Sequence, residues 1–367
     1  TEELERERAL AEGAGTGFLY SGRCRERADV PEGSPFVVRL RLPEDDVTIV
    51  DLVRGEVVVE SSTIDDFVLL RTDGNPTYHL SVVVDDIDMG ITLVARGEDH
   101  LSNTPKHIHL FRAFGVEPPA FAHLPLILGP DKKRLSKRTG ATSVEEFRSM
   151  GILPEALLNF LTLLGWATGD DQEILSRTEL ESRFDLSYVN RSAAVFDVEK
   201  LLWMNGLYIG SSSLEELLLH LREHIRFDVD DEERLARVVE LHKSQPKTLV
   251  ELADAVRPYF VSDDQIEYEE QAARKHLKGA ELKDRIAALR EAFSQLDRWT
   301  VDSTDSSLRD VATRLEVGAG KLIHPLRLAV TGKGVAPPIF DVLAEMGKER
   351  TLSRLDMMLE RLPYDVD

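Results

Sequence analysis

Cysteine is nearly absent from this chain of 367 residues, because Cys24 is the only one. A single thiol excludes an internal disulfide framework and fits a reducing compartment, so we expect a cytoplasmic protein. No run of about 18 apolar residues occurs, and the start Thr-Glu-Glu-Leu-Glu-Arg-Glu lacks the apolar core of a secretory signal. The sequence therefore favours a globular protein that does not enter membranes.

Basic side chains are also scarce, since 45 lysines and arginines face 66 aspartates and glutamates, which gives a net charge of −21. Such a field repels phosphate, so the composition excludes a nonspecific polyanion binder. Any nucleic-acid binding must then depend on local basic patches. The densest patch is the basic segment, residues 129–138, in which five of the seven residues from 132 to 138 are cationic.

The basic segment has the composition of a phosphate-binding loop, although a solvated surface loop or a generic nucleic-acid patch would look the same. It is not a Walker A loop, because the next glycine after Gly129 is Gly140 and no Gly-Lys-Ser/Thr follows. It comes after an apolar run at 122–128 that is short enough for a buried strand.

The residues upstream predict strands and then a helix. Residues 36–70 alternate apolar and polar side chains, which is the pattern of antiparallel strands. Residues 80–84 and 91–95 are apolar runs that predict two buried strands. The pair Thr104-Pro105 is typical of a helix start, with Thr as the cap.

The strand at 91–95, this helix and the strand at 122–128 form a βαβ unit, whose two strands are parallel. Polar residues follow the first strand at once, at Arg96, Glu98 and Asp99. Because the carboxyl ends of parallel strands meet at one edge of the sheet, we expect these side chains to lie near the basic segment.

Helical periodicity dominates the second half of the chain. The Ser/Thr-x-x-Glu pattern of a capping box predicts helix starts at Ser143, Ser213 and Thr248. Residues 1–12 predict a further, charged helix. We therefore expect an α/β part followed by an all-α part.

Residues 134–138, Arg-Leu-Ser-Lys-Arg, resemble the Lys-Met-Ser-Lys-Ser signature of class I aminoacyl-tRNA synthetases, in the form typical of glutamyl-tRNA synthetases. The resemblance to bacterial-type glutamyl-tRNA synthetases extends over nearly the whole chain. Further segments resemble that family in its own order: Tyr78-His-Leu80, Val84-Asp-Asp86, Met89-Gly-Ile-Thr92, residues 96–107, Leu163-Leu-Gly-Trp166, residues 196–206 and residues 321–332.

This resemblance implies a partial Rossmann-like class I synthetase catalytic domain with a connective insertion, followed by helical stem-contact and anticodon-binding domains. It implies a connective, acceptor-binding insertion at 1–67, the second half of the catalytic domain at 68–142, a stem-contact region at 143–209 and a helical anticodon-binding part at 210–367. The implied activity is ATP-dependent activation of L-glutamate to glutamyl-adenylate and its transfer to the 3′ end of tRNA(Glu).

The resemblance also implies which residues handle phosphate. Lys137, with Arg138 and Arg134, would stabilise the charge that builds on the leaving pyrophosphate. Lys137 would contact ATP together with Ser136 and Asp99, and the implied cofactor is ATP with Mg²⁺. Arg134 stands where the family usually has lysine, which keeps the charge but not the point-charge geometry of an ammonium.

Arg96 is the residue that we expect to bind a glutamate carboxylate, because a guanidinium forms bidentate pairs with carboxylates and this position lies at a strand end. The resemblance adds Tyr78 to the same site. The alternative for Arg96 is an internal salt bridge to Glu98 or Asp99.

Metal sites receive weaker support. Some members of the family hold structural zinc through a Cys-x-Cys pair followed by Tyr-x-x-x-Cys, and Tyr20 with Cys24 resembles the second half of that arrangement. One thiolate and one phenol cannot complete a four-coordinate site, so we expect zinc only with an upstream cysteine pair. His107 and His109 are two apart on a predicted helix and point away from each other, so we expect no metal there.

The family's His-Ile-Gly-His signature does not occur in these residues, and the first residue is Thr rather than Met. We therefore expect a fragment without the amino-terminal part of the catalytic domain, which makes little or no adenylate by itself. The alternative is a noncatalytic tRNA-binding or regulatory protein derived from a synthetase. The expected partners are tRNA(Glu), L-glutamate and ATP, and we expect a monomer.

Overall fold

The structure is a computed structural model that describes residues 2–15, 18–26, 33, 35–135, 143–279 and 281–362. Its helices α1 to α16 are Glu2–Gly13, Tyr78–Asp88, Thr104–Ala113, Val144–Ser149, Pro154–Gly165, Arg177–Arg183, Val198–Ser211, Leu214–Leu221, Glu232–His242, Leu249–Val256, Glu270–His276, Leu282–Ser294, Val301–Arg314, Gly320–Thr331, Ile339–Met346 and Lys348–Arg361. Its strands β1 to β8 are Val38–Arg39, Val47–Asp51, Gly55–Val59, Val68–Leu70, Leu93–Gly97, Ala120–Leu124, Ile127–Leu128 and Ala194–Val195. None of the helices in these ranges is long and apolar enough to cross a membrane.

The chain divides into two compact units. Unit 1 comprises Thr1–Leu135 and Leu161–Phe196, and unit 2 comprises Ser136–Phe160 and Asp197–Asp367. Within the described residues, all the strands lie in unit 1 and unit 2 is helical. The expected combination of an α/β part with an all-α part is confirmed, whereas the domain boundaries expected from the sequence remain predictions.

A four-stranded mixed sheet, in the order β3-β2-β6-β5, is the centre of unit 1. Strands β2 and β3 are antiparallel, whereas β6 is parallel to both β2 and β5. Helix α3 connects β5 to β6, so the predicted βαβ unit is confirmed. The alternation in β2 buries Val47, Ile49 and Asp51 and exposes the two residues between them. The antiparallel pairs β1-β4 and β2-β3 confirm the interpretation of residues 36–70.

The strand predicted at 80–84 is wrong, because these residues lie in α2. Thr77 is extended, with φ of −82° and ψ of 164°, and the helix begins at the next residue. Val83 is fully buried, and Leu80 and Ile87 pack against the same core at helical spacing. The run of valines favours a strand by propensity, but packing along one helical face overrides that preference.

The single strand predicted at 122–128 is also wrong. Residues 120–124 form β6, and Pro125, which has no N–H to donate, separates it from β7. Strand β7 leaves the main sheet and pairs with β8 in parallel. The basic segment therefore follows β7 rather than the central strand β6.

Helix capping in unit 2 agrees only partly with the predictions. Ser143 and Glu146 form the complete capping box at α4. Ser213 and Thr248 cap α8 and α10 through their hydroxyl groups, so these helix starts are confirmed. Their glutamates do not close a box, because one accepts from the Ser213 hydroxyl and the other from the Lys247 backbone N–H.

The end of α14 depends on a glycine. Gly332 has φ of 75° and ψ of −6°, the left-handed conformation that glycine adopts without strain. A Cβ at this position would lie 2.3 Å from the backbone carbonyl oxygen of Glu267, which cannot rotate away. We therefore expect Gly332→Ala to lower the free energy of unfolding of unit 2 by about 3 kcal/mol, from backbone strain and displacement together.

Gly320→Ala, at the first residue of α14, is the matched control. Its added Cβ would make only ordinary contacts, 3.8 Å from atoms of the His324 ring. Alanine forms helices better than glycine, so we expect no loss of stability and a gain of up to about 1 kcal/mol. Urea unfolding followed by circular dichroism measures both variants, and equal stabilities would contradict this explanation.

Candidate functional site

Arg96, at the carboxyl end of β5, is the cationic centre of a hydrogen-bonded cluster. Its Nε donates to His123 Nε2 at 3.2 Å, and its Nη2 donates to Thr104 Oγ1 at 2.8 Å and to the His100 carbonyl oxygen at 3.3 Å. Its Nη1 lies 3.4 Å from His107 Nδ1. Four of the five N–H groups of this guanidinium therefore have partners in these contacts, and the fifth is on Nη1.

His123, in β6, joins Arg96 to a buried carboxylate. Its Nδ1 lies 2.6 Å from Asp51 Oδ2, and both side chains are fully buried. Asp51 Oδ1 accepts from the backbone N–H groups of Val53 at 3.0 Å, Arg54 at 2.8 Å and His123 at 3.2 Å. Burial raises the pKa of Asp51, but these hydrogen bonds outweigh burial and hold the pKa below its ordinary value. Asp51 is therefore ionised at neutral pH.

The tautomer of His123 follows from its two neighbours. An ionised Asp51 can only accept, so His123 carries a proton on Nδ1. Arg96 can only donate, so Nε2 must be an acceptor and the ring is neutral. Burial lowers the pKa of His123, and the nearby Arg96 adds to this, against the raising effect of Asp51.

Two further histidines extend the cluster on the other side of Arg96. His107 Nδ1 faces a guanidinium that only donates, so the proton of His107 is on Nε2, which lies 3.1 Å from His79 Nδ1. Burial, reinforced by nearby positive charges, lowers the pKa of His107 to about 3 and that of His79 to about 4. Both rings are neutral at pH 7, and the positive charge stays on Arg96.

Tyr78, the first residue of α2, lies beside this cluster and is 49% exposed. Its ring centroid is 5.5 Å from that of His79 and 6.0 Å from that of His107. Burial lowers the pKa of Arg96, and the nearby carboxylates of Asp86 and Asp99 and a hydrogen bond with Tyr78 oppose that shift. The structure thus brings together the two residues predicted for glutamate, with Tyr78 at the solvent side.

The acidic residues that follow β5 bind other arginines. Glu98 forms a salt bridge with Arg54. Asp99 Oδ2 lies 3.0 Å from an Nη atom of Arg134. The alternative of a salt bridge from Arg96 to Glu98 or Asp99 is therefore wrong, and the expected proximity of Asp99 to the basic segment is confirmed for Arg134.

The basic segment is described as far as residue 135. The Gly129 N–H donates to the Lys133 carbonyl oxygen at 2.8 Å, so a tight turn reverses the chain after β7. Arg134 then forms an antiparallel bridge with Leu128, which fixes its backbone beside β7. The other predicted phosphate-handling residues lie outside the described residues: Ser136, Lys137 and Arg138.

Tyr20 and Cys24 contact each other but do not fit zinc. The Tyr20 hydroxyl accepts from the Cys24 backbone N–H at 2.8 Å, and the Arg39 guanidinium lies 4.0 Å from the centroid of the tyrosine ring. Burial and a hydrogen bond with the Cys24 side chain raise the pKa of Tyr20 against the lowering effect of the backbone hydrogen bond, which disfavours the phenolate that a metal would need. In the described part of the chain, no group of three or more His, Cys, Asp or Glu could hold a metal ion.

Asp51 and His123 do not stand out in the sequence, although each carries a signal. Asp51 shares the inward side of an alternating strand with Val47 and Ile49, and a carboxylate at such a position needs a partner. His123 interrupts an apolar run in the same way. Their pairing is not readable from the sequence, because they are 72 residues apart.

The buried histidines make the stability of unit 1 sensitive to acid. Histidine in an unfolded chain titrates near about 6.5, whereas the pKa of His107 is about 3 and that of His79 about 4 in the fold. Between these values the unfolded state binds more protons. We therefore expect the free energy of unfolding to be constant above about pH 7 and to fall from about pH 6.5 to about pH 4, by up to about 1.4 kcal/mol per pH unit for each histidine.

Trp166 is the tryptophan of unit 1, so its fluorescence reports on this unit alone in a chain that carries Trp203→Phe and Trp299→Phe. Adding His107→Gln replaces a titrating ring by a neutral amide. We expect the free energy of unfolding of this variant to depend less steeply on pH than that of its parent, by the contribution of about one proton. An unchanged slope would show that His107 is not a buried neutral imidazole.

Comparison with known protein families gives two matches along the chain. The family described as tRNA synthetases class I (E and Q), catalytic domain, matches residues 1–203. The family described as anticodon binding domain matches residues 214–359.

Individual proteins similar to this chain are named as glutamate–tRNA ligases. Glutamate–tRNA ligase 1 of Nitrosococcus oceani is 46% identical over 344 residues, which cover 93% of this chain and 72% of that protein. Glutamate–tRNA ligase 1 of Alkalilimnicola ehrlichii is 45% identical over 346 residues, covering 93% and 73%. The crystal structure of a glutamate tRNA ligase from Elizabethkingia meningosepticum in complex with its amino acid matches with a TM-score of 0.83 and 32% identity, covering 98% of this chain and 78% of that one.

Proposed function

The chain belongs to the class I tRNA synthetases of the glutamate and glutamine group, and we propose that it acts as a glutamate–tRNA ligase. In this reaction a carboxylate oxygen of L-glutamate bonds to the α-phosphorus of ATP while the bond to pyrophosphate breaks. The terminal ribose hydroxyl of tRNA(Glu) then takes the glutamyl group from the adenylate and releases AMP. In both steps the residues of this chain bind and orient the substrates and neutralise their charge.

The observation that carries this proposal is the buried cluster around Arg96. We assign the binding of a glutamate carboxylate to the remaining N–H on Nη1 of Arg96 together with the Tyr78 hydroxyl, so the guanidinium makes one contact here rather than the bidentate pair expected from the sequence. The other edge of the guanidinium is engaged by His123 and Thr104, so it does not need to reorganise when the substrate arrives. The neutral rings of His107 and His79 leave the positive charge of Arg96 for the ligand.

The phosphate groups of ATP are assigned to the basic segment. Lys137 and Arg138, together with Arg134, would stabilise the charge on the leaving pyrophosphate. Ser136 and Asp99 would contact ATP together with Lys137. Asp99 forms a salt bridge with Arg134, whose side chain is exposed, and this pair restrains the middle of the basic segment. Such a pair adds little stability, so its effect would be on position.

Magnesium accompanies ATP in class I synthetases and neutralises part of the phosphate charge when bound. Mg²⁺ is usually held by the phosphates and water with one or two carboxylates, rather than by a protein cage. The described residues provide no cluster of three or more metal-binding side chains. We therefore assign no resident metal site and derive no step from the ion.

Recognition of tRNA is assigned to residues 143–209 for the stem and to 210–367 for the anticodon. Support comes from the anticodon-binding family match at 214–359 and from the helices α8 to α16 of unit 2. The net charge of −21 makes nonspecific attraction weak, so binding would depend on local basic patches and fall steeply with salt. We propose that the protein acts as a monomer.

ATP–pyrophosphate exchange by the native protein that carries this chain, with tRNA(Glu) present, tests the proposal. We expect exchange with glutamate and at least about 100-fold less with glutamine, because the amide leaves the Arg96 charge without an anionic partner. Aspartate is the matched control, because it keeps the side-chain carboxylate of glutamate on a shorter side chain. Equal exchange with glutamine would contradict the assignment of Arg96, and exchange with none of the three would contradict a ligase.

A further inference from the structure

We propose that Asp51 and His123 are positioning residues that fix the Arg96 guanidinium in the orientation that binds the substrate carboxylate. This inference rests on the proposed function, in which Arg96 binds glutamate. Neither residue lies at the Nη1 edge, so both act through Arg96. They form a relay in which a carboxylate orients an imidazole and the imidazole orients a guanidinium.

The first step of the relay is rigid because Asp51 cannot turn. One of its oxygens accepts from three backbone N–H groups, including that of His123 itself at 3.2 Å. The other oxygen lies 2.6 Å from His123 Nδ1. The carboxylate therefore fixes the main chain and the ring of the same residue, and it determines which ring nitrogen carries the proton.

The second step is a closed set of contacts on one edge of Arg96. His123 Nε2 accepts from Nε at 3.2 Å and lies 3.1 Å from Thr104 Oγ1. Thr104 Oγ1 in turn accepts from Nη2 at 2.8 Å. Since Nε and Nη2 are both bound, the plane of the guanidinium is fixed, and Nη1, which lies 3.4 Å from His107 Nδ1, is on the opposite side from His123. Loss of the His123 acceptor would leave Nε without a partner in these contacts and the plane held only through Nη1 and Nη2.

The relay also separates the buried carboxylate from the guanidinium by one imidazole ring. Asp51 and His123 are fully buried, and the ring between the carboxylate and the guanidinium is neutral. Asp51 pairs with His123, whereas the carboxylates whose charge acts on Arg96 are those of Asp86 and Asp99. A direct carboxylate partner would compete with glutamate for the same donors, whereas this arrangement leaves one N–H on Nη1 for the substrate.

Asp51→Asn tests the relay with almost no change in shape. The amide oxygen still accepts from the three backbone N–H groups, but the amide nitrogen now donates to His123 Nδ1. The ring must then carry its proton on Nε2 and direct a donor at the Nε donor of Arg96. We expect KM for glutamate to rise about 10- to 100-fold, with a smaller change in kcat and KM for ATP within about twofold.

A pair of variants at His123 separates the two contacts of the ring. His123→Asn keeps a donor near the Nδ1 position for Asp51 but cannot reach Arg96. His123→Gln carries an amide oxygen near the Nε2 position, which accepts from Arg96. We expect the asparagine variant to raise KM for glutamate as Asp51→Asn does, and the glutamine variant to recover most of the loss. If Asp51→Asn does not fold, the comparison of His123→Asn with His123→Gln tests the relay without it.

His109→Gln is the matched control, because His109 is buried on α3 but lies outside the relay. All variants are assayed by ATP–pyrophosphate exchange in the native protein, with thermal unfolding measured beside it and the His123 tautomer read from ¹⁵N NMR of the ring. The proposal predicts an Nδ1–H ring in the parent and an Nε2–H ring in Asp51→Asn.

An unchanged KM for glutamate in folded Asp51→Asn and His123→Asn would overturn the relay while leaving the proposed function intact. An equal rise in KM for His109→Gln would overturn it too, since the effect would then follow from stability. A parent protein that activates no glutamate would overturn the proposed function and the relay together.

Discussion

Lys137→Ala, in the native protein that carries this chain, is expected to slow formation of the adenylate by about 10²- to 10³-fold, the loss expected when one transition-state donor is removed. The ammonium is assigned to phosphate oxygens whose negative charge grows as pyrophosphate leaves. An interaction that strengthens in the transition state acts on kcat, so the loss should persist at saturating ATP. ATP–pyrophosphate exchange with tRNA(Glu) present measures it.

Lys133→Ala is the control for this prediction, because it removes the same charge from an exposed position of the basic segment. If position matters more than summed charge, Lys133→Ala should slow exchange only a few-fold. Unchanged exchange by Lys137→Ala at saturating ATP would remove Lys137 from the mechanism. Equal losses in the two variants would reduce the segment to a general electrostatic patch.

Arg96→Ala is expected to lower kcat/KM for glutamate by about 10³-fold, which corresponds to about 4 kcal/mol, with KM for glutamate rising most. The variant removes a charge-assisted contact to the substrate and also leaves His123 and Thr104 without their donor. Stability will fall for the second reason, so the kinetic constants must be measured well below the unfolding temperature. KM for ATP should change much less.

Two other arginine variants separate charge from geometry. Arg96→Lys keeps the charge but cannot donate to His123 and Thr104 together. We therefore expect a loss of kcat/KM for glutamate that is smaller than that of Arg96→Ala. Arg112→Ala removes an exposed arginine from the last turn of α3 and should leave all constants unchanged. If KM for ATP rises in Arg96→Ala while KM for glutamate stays constant, Arg96 does not bind the amino acid.

Local signals in the sequence were sufficient for most of the fold. The hydroxyls of Ser143, Ser213 and Thr248 mark helix starts because a cap is satisfied by residues three apart in sequence. The strand prediction at residues 80–84 was wrong because three consecutive valines fit either a buried strand or a buried helix face. Tertiary packing decides between these two structures. The break at Pro125 was readable from its missing N–H.

The site was predictable only where its chemistry lies in one segment. Arg96 was predicted from its place at a strand end, and Lys137, which lies outside the described residues, stays a prediction from the signature around it. Asp51 and His123 are joined by the parallel pairing of β2 with β6, and the register of distant strands depends on the whole sheet. The role of His107 was not readable from the sequence, because its burial beside the Arg96 cation, which favours a neutral ring, depends on the fold.

Charging of purified tRNA(Glu) with radiolabelled glutamate by the native protein, measured at the 3′ end of the tRNA, tests the claim that this chain belongs to an active glutamate–tRNA ligase. We predict ATP-dependent attachment of glutamate that is lost when the 3′-terminal ribose is oxidised with periodate and is strongly reduced by Lys137→Ala. Attachment of glutamine in place of glutamate, or binding of tRNA(Glu) with no attachment, would contradict the claim, and the second result is the one expected of a noncatalytic tRNA-binding protein.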